Sequence, residues 1–488
     1  MMLRFYNLLL WLAQPLLKRK LRKRGAAEPL YLHATHQRFA RYTAQEQQQA
    51  QQHAGQWLWI HAVSLGETRA AGIVLQALRQ VQPNLRLLLT HGTATGWQEG
   101  QKLLQDGDMH VWLPWDTRGT VTRFLRTFRP RAGLIMETEI WPQLLQACQQ
   151  HAVPVALVNA RLSEKTLRQW QRLPGLARQI YGFLSAAYAQ TEADAQRLRA
   201  LGAQNVVVTG NVKFDAAPSA ELLQQGRALR QQWQSHETHP RPAVLLASSR
   251  EGEEALWLQA LQALPAAQQQ AVQWMVVPRH PQRFDAVAAL LQTAGFAVQR
   301  RSQAGTRHFS DADSAASRNS HQTAASAPSA AGQQALAADN TIWLGDSMGE
   351  MPLYYAMADI VLMGGSFEKL GGQNLIEACA CGCPVLLGPH TFNFAQASEQ
   401  AIAAGAALRC ADMADALQQA LALLVPASTG AVADAAPENA ANATPTRAQT
   451  HAAPTLAAMR QAAVAFSQAH RGAASRIATD VQQRGWLG

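Results

Sequence analysis

The chain has 488 residues, and 43 Lys and Arg against 33 Asp and Glu leave a formal charge of +10. That length suits two or three domains with full hydrophobic cores, and 48% apolar with 16% charged residues excludes a largely disordered chain. Seven cations and no acids fall in residues 1–24, so the other 464 residues carry 36 minus 33, or +3, too little for a general nucleic-acid-binding face.

At the start of the chain, LRFYNLLLWLAQPLL (3–17) runs into KRKLRKR (18–24), six cations in seven positions. The apolar part is shorter than the roughly 20 residues a spanning helix needs, and no small-residue cleavage site follows it. An apolar helix with Trp11 and a basic flank suits a segment that dips into an anionic membrane surface. From residue 57 short apolar runs alternate with helical patterns: 57–63, 85–90, 132–137, 153–159, 183–189 and 205–210 read as buried strands. A polar stretch, 216–241, interrupts them, and strand-like runs resume at 243–248, 272–278, 341–345, 358–364 and 384–388. Strands alternating with helices predict parallel, doubly wound sheets. Two such halves, 25–215 and 242–488, joined by a linker at 216–241, predict a cleft at the carboxyl ends of their strands, where ligands bind in such folds. Residues 302–340 and 426–454 are rich in small and polar residues without an apolar period and read as disordered insertions. Five cysteines, unevenly spaced, give no disulfide framework and fit a reducing, cytoplasmic setting. Cys379, Cys381 and Cys383 have no second ligand pair near them in sequence and read as small core residues.

Several motifs carry chemistry. In HAVSLGETRAA (61–71) a strand turns into a helix at Glu67, which is placed either to accept a proton from a hydroxyl or to serve as an ordinary acidic first-turn residue. METEIWP (136–142) ends a strand with Glu137 and Glu139, alternate residues that share a face. GNVKFD (210–215) places Lys213 where it can meet developing negative charge, although a solvated lysine is the default. In the second half VPRHPQRF (277–284) carries Arg279 and His280 past a strand. GDSMGEMP (345–352) has Gly349 and Glu350 at another strand-to-helix turn. GGSF (364–367) and GGQNLIEA (371–378) supply glycines and a helix entry whose N–H groups suit a phosphate, with Glu377 one turn in for ribose hydroxyls.

In this order HAVSLGE, METEIWP, GNVKFD, PRHPQRF, GDSMGE, GGSF, GGQNLIEA and GPHTFNF resemble the 3-deoxy-D-manno-octulosonic acid (Kdo) transferases of lipopolysaccharide assembly, from the N-terminal segment to about residue 395. The resemblance implies an α/β GT-B glycosyltransferase with two Rossmann-like domains, an acceptor site in the first and a nucleotide-sugar site in the second, plus an N-terminal membrane-associated helix. It implies transfer of Kdo from CMP-Kdo to the lipid A precursor, lipid IVA, at the cytoplasmic side of the inner membrane. Carried over motif by motif, Glu67 is the proton acceptor, and Glu137 and Lys213 assist the transition state. Pro278, Arg279, Met348, Gly349, Glu350, Asn374, Leu375, Ile376 and Glu377 hold CMP. Gln373 stands where the family usually has His, and Leu375 where it often has Pro.

The expected chemistry is direct displacement with inversion, without a metal, because no cluster of acids and histidines stands out. Expected partners are CMP-Kdo, the lipid A precursor and membrane lipid, with no nucleic acid. Two alternatives are a membrane-associated GT-B enzyme using a UDP- or GDP-sugar, and a non-catalytic membrane-surface protein that kept the fold.

Overall fold

The computed structural model describes residues 2–235, 240–303, 340–424 and 454–487. The insertions expected at 302–340 and 426–454 lie outside the described residues, apart from 302, 303, 340 and 454. The chain divides into two compact units, Met1–Ala216 with His470–Gly488, and Ala217–Ala469.

The first unit is built on seven strands: β1 (Trp57–Ala62), β2 (Arg86–His91), β3 (Met109–Trp112), β4 (Ala132–Met136), β5 (Val155–Ala160), β6 (Ala186–Ala189) and β7 (Val206–Val208). All pair in parallel, in the order β3-β2-β1-β4-β5-β6-β7. Every residue of β1 is buried, which explains its apolar run, broken only by His61: a parallel sheet is covered on both faces. Its side chains alternate between two cores, Trp57 and Trp59 on one face and Leu58, Ile60 and Ala62 on the other.

The second unit repeats the plan with β8 (Ala243–Ser249), β9 (Gln273–Pro278), β10 (Ala297–Arg300), β11 (Thr341–Leu344), β12 (Ile360–Met363), β13 (Val385–Leu387) and β14 (Ala407–Arg409). They too are parallel, in the order β10-β11-β9-β8-β12-β13-β14. In each sheet the direction of strand addition reverses beside the unit's first strand, at β1/β4 and at β8/β12, the position that receives ligands in doubly wound folds. The sequence reading missed β3, β10 and β14, strands of three or four residues near the sheet margins with little apolar run to mark them.

Two boundaries differ from the sequence reading. The stretch read as a linker, 216–241, contains a helix, Ala220–Ser235, that belongs to the second unit. Arg230 on it bonds the Met357 carbonyl at 2.5 Å and Asp359 at 2.6 Å, and a Cβ on Gly226 would stand 2.3 Å from the Leu353 carbonyl. At the other end, residues 470–487 join the first unit rather than the second half. Asp215 accepts the N–H groups of Gly472 and Ala474 at 2.5 and 2.6 Å, capping the helix Ala473–Gln483. Ile477 and Val481 of that helix then enter the core that also holds Leu58 and Ile60.

The segment 1–24 lies within a helix, Met2–Ala27. Leu3 is buried in the first unit's core, the Tyr6 hydroxyl donates to Asp116 at 3.1 Å, and the Asn7 side chain accepts the Arg118 N–H at 2.8 Å. Phe5, Leu8, Leu9, Trp11, Leu12 and Leu16 are exposed. Among the described residues no helix is long and apolar enough to cross a membrane. All five cysteines are free, and Cys379 and Cys383 are buried.

Candidate active site

At the first reversal point, Ser64 caps the helix Leu65–Val81, and its hydroxyl oxygen accepts the Glu67 N–H at 3.4 Å. The Glu67 carboxylate reaches back, accepting the Val63 N–H at 2.7 Å and the Ser64 hydroxyl at 3.1 Å. The two readings of this residue therefore meet in one side chain, because it caps the helix and also stands at the mouth of the sheet. Burial raises its pKa above the usual carboxylate range and the nearby Glu137 charge adds to the rise, against the bonds from Val63 and Ser64 and the charge of Lys213.

The turn that carries Glu67 is pinned from β2 and the residues after it. The Thr93 hydroxyl donates to the Val63 carbonyl at 2.6 Å, and His91 Nδ1 lies 2.8 Å from the Ala62 carbonyl, so that nitrogen carries the proton. A Cβ on Gly100 would stand 2.2 Å from His91 Nε2, so glycine there makes room for the ring. Burial drives the pKa values of His61, His91 and His110 down to about 3, 4 and 3, so all three are neutral props. None of this shell was read from the sequence.

Glu137 follows β4 directly and is 7% exposed. Its backbone is left-handed, with φ of 55°, a conformation costing about 1 kcal/mol or more in a residue other than glycine. One carboxylate oxygen accepts Lys213 Nζ at 3.0 Å, and the other lies 3.5 Å from Arg161 Nε. Lys213 is set in place from its own turn: Asn211 accepts its N–H at 3.0 Å, and Asn159, fully buried, accepts the Val212 N–H at 3.1 Å. Glu139 is half-buried, and burial, then Glu67, then Glu137 lift its pKa to about 7. The structure thus brings Glu67, Glu137, Glu139 and Lys213 into one electrostatic neighbourhood.

In the second unit the residues expected to hold a nucleotide follow β9, β11 and β12. Pro278 is the buried last residue of β9, and the Arg279 N–H donates to the Ser249 carbonyl at 2.9 Å. Met348 is exposed, Gly349 has φ of 81°, and Glu350 takes Arg301 at 3.1 Å. Asn374 precedes the helix Leu375–Ala380, and its Oδ1 is buried without a hydrogen-bond partner among the described residues. The side chains of Leu375 and Ile376 are buried, so toward a ligand these two residues offer only main-chain N–H groups; Glu377 is half-buried in the first turn.

The glycine runs have a structural role that the sequence reading did not give them. A Cβ on Gly364 would stand 2.5 Å from the Ser248 carbonyl, so the chain passes too close to β8 for any side chain. The N–H groups of Gly365 and Phe367 donate to the buried Glu253 carboxylate at 2.6 and 3.0 Å, and that of Gly372 to the Gly365 carbonyl at 2.6 Å. Those three groups are already engaged and do not cradle a phosphate.

The end of β8 and the residues after it, SSREGEE (248–254), went unnoticed in the sequence. Glu253 and Glu254 are 0% and 1% exposed. Glu254 accepts the Ser249 hydroxyl at 2.6 Å and both arms of the Arg283 guanidinium at 2.8 and 2.7 Å. Two neighbouring acids on one helix thus fix the loop after β12 and the turn after β9. A pair of acids after an apolar strand is the only signal the sequence offered, and acids at a helix start are common.

Two parallel, doubly wound sheets with polar groups gathered past their strand ends define a chain of the GT-B fold class. The fold matches HepE from Anabaena in complex with UDP (TM-score 0.51, 12% identical, 88% of this chain and 100% of that one). It also matches a glycosyltransferase from Rickettsia africae (TM-score 0.51, 9% identical, 88% and 97%). The family profile described as 3-Deoxy-D-manno-octulosonic-acid transferase (kdotransferase) matches residues 33–216, and that of glycosyl transferases group 1 matches 329–427. A 3-deoxy-D-manno-octulosonic acid transferase of Bordetella pertussis is 42% identical over 88% of this chain and 87% of its own. One from Haemophilus influenzae is 31% identical over 86% and 90%. The chain belongs to the Kdo transferase family and is a glycosyltransferase.

Proposed function

We propose that the protein transfers Kdo from CMP-Kdo to lipid IVA, the lipid A precursor, with inversion and without a metal. The observation that carries this reading is Glu67, a carboxylate of raised pKa at the reversal point of the first sheet, oriented by Val63 and Ser64. Glu67 takes the proton of a lipid A sugar hydroxyl as that oxygen attacks the anomeric carbon of Kdo. The bond from that carbon to the CMP phosphate breaks, and Arg279 with the N–H groups opening the helix Leu375–Ala380 meet the phosphate charge. Glu137, ion-paired to Lys213, holds that cation ready for charge that develops at the reacting centre. Pro278, Met348, Gly349, Glu350, Asn374 and Glu377 complete the nucleotide pocket.

The acceptor is a lipid, and the helix Met2–Ala27 suits its location. Its exposed apolar residues enter an anionic leaflet at the cytoplasmic face of the inner membrane, and each Lys or Arg of the run 18–24 adds about 1 kcal/mol. The test is the purified protein with CMP-Kdo and lipid IVA, products resolved by mass, with CMP and UDP as competing ligands. A Kdo-bearing lipid product and inhibition by CMP alone are expected. No such product, or inhibition by UDP instead, overturns the assignment.

A further inference from the structure

In the second sheet the strand order is β11-β9-β8-β12 around the reversal point, and the residues proposed for the nucleotide follow β9, β11 and β12. The end of β8 lies among these strand ends, and its first residue beyond the strand, Arg250, has no part in the nucleotide pocket as proposed. We infer that Arg250 is a specificity-determining residue of the donor site, its guanidinium taking the sugar carboxylate that separates CMP-Kdo from CMP. The inference rests on the proposed function.

Four observations lead there. The main chain of Arg250 is fixed, because its N–H donates to Glu253 at 2.8 Å, and the same buried carboxylate holds Gly365 and Phe367. Arg250 and the loop after β12 therefore share one rigid anchor. Its neighbour Arg283 is committed inward, both arms on the buried Glu254. The Arg250 guanidinium, by contrast, is paired among the described residues only with Glu251, at 3.0 Å, and that carboxylate is more than half exposed. Such a pair contributes little in water and is readily exchanged for a ligand carboxylate. Finally, after burial, the charges of Arg250 and Arg279 are the largest influences lowering the pKa of His280, so both cations act on the same mouth. The donor presents two anions, a phosphodiester and a carboxylate on the anomeric carbon. With Arg279 assigned to the phosphate, a second planar, bidentate cation matches the carboxylate.

Equilibrium binding of CMP and of CMP-Kdo to the full chain tests this, using wild type, Arg250→Gln, Arg250→Lys, Glu251→Ala and Arg279→Gln. Arg250→Gln should bind CMP within about 2-fold of wild type and CMP-Kdo roughly 10- to 100-fold more weakly, the range for losing one charged hydrogen-bonded contact. Arg250→Lys should fall between, and Arg279→Gln should weaken both ligands. Glu251→Ala, which releases the guanidinium without touching the loop anchor, should bind CMP-Kdo at least as tightly as wild type. Unchanged CMP-Kdo affinity in Arg250→Gln, equal weakening of both ligands, or weaker CMP-Kdo binding in Glu251→Ala overturns the inference. If wild type binds neither ligand, the donor assignment itself fails and this inference falls with it.

Discussion

The two sheets have the same number of strands and reverse at equivalent places, yet their buried acids differ in how many donors hold them. In the first unit burial and the charge of Glu137 raise the pKa of Glu67, burial and the charges of Glu67 and Glu137 raise that of Glu139, and Glu139 has no cation bound to it among the described residues. In the second unit Glu253 and Glu254 are more deeply buried, and burial raises the pKa of Glu253 as well, but each accepts at least three hydrogen bonds, Glu253 from main-chain N–H groups and Glu254 from a hydroxyl and a guanidinium. Glu67, with one donor on each oxygen, keeps room for a substrate hydroxyl; a carboxylate holding three or more donors is a fastener. Residue type and topological position are shared, and what separates the two roles is how many donors each oxygen already has.

The sharpest way to break this comparison is Glu67→Gln. Turnover should fall about 100- to 10,000-fold, while CMP affinity stays put and stability changes by about 1 kcal/mol or less. Near-normal turnover would pass the base role to Glu139 or Glu137. Glu254→Ala should do the reverse to the second unit. Stripping one partner from a buried ion pair costs about 3–5 kcal/mol, lowering the melting midpoint by roughly 10 °C. A calorimetric trace unchanged from wild type would mean that Arg283 does not depend on this acid.

Glu139 sharpens the comparison through pH. Its carboxyl titrates near 7 in the fold against an ordinary 4.5, so folding favours the protonated form. That stabilising contribution is complete below about pH 4.5 and is lost as pH rises through about 7. Glu139→Gln should therefore be more stable than wild type at pH 8, by at most about 2 kcal/mol since the carboxyl keeps some water, and no more stable at pH 4.5. Denaturant titrations at both values check the sign. The smallest effect expected is that of Tyr6→Phe, which deletes the hydroxyl bond to Asp116. It should cost about 1 kcal/mol and speed proteolysis at the basic run 18–24 without touching nucleotide affinity.

Much of the first mouth was legible because its residues follow strands at once: HAVSLGE and METEIWP each announce a buried strand, a turn and a helix within a dozen letters. Lys213 was legible in kind but not in partnership, since its link to Glu137 spans the whole of β5 to β7. The second mouth was less readable. Nothing local distinguishes Glu253 from a surface acid at a helix start; only the loop 364–367, more than a hundred residues later, completes its bonding. Leu375 and Ile376 were marked for a ligand although their side chains belong to the core, because a motif does not tell main-chain contacts from side-chain ones. The return of residues 470–487 to the first unit was hidden for the same reason: Ile477 and Val481 find their apolar partners over 400 positions upstream.

That return has a consequence for synthesis. The helix Ala473–Gln483 packs beside the helix Leu65–Val81, in the core that also holds Leu58, Ile60 and Ala62 of β1, and its cap, Asp215, is made long before it. While the ribosome adds residues 217–469, that core lacks Ile477 and Val481, and Asp215 is an unanswered carboxylate. The first unit to emerge is therefore the last to be finished. During that interval it is open to chaperones, proteases and unwanted partners, and a nonsense mutation shortly before residue 470 would leave it so permanently.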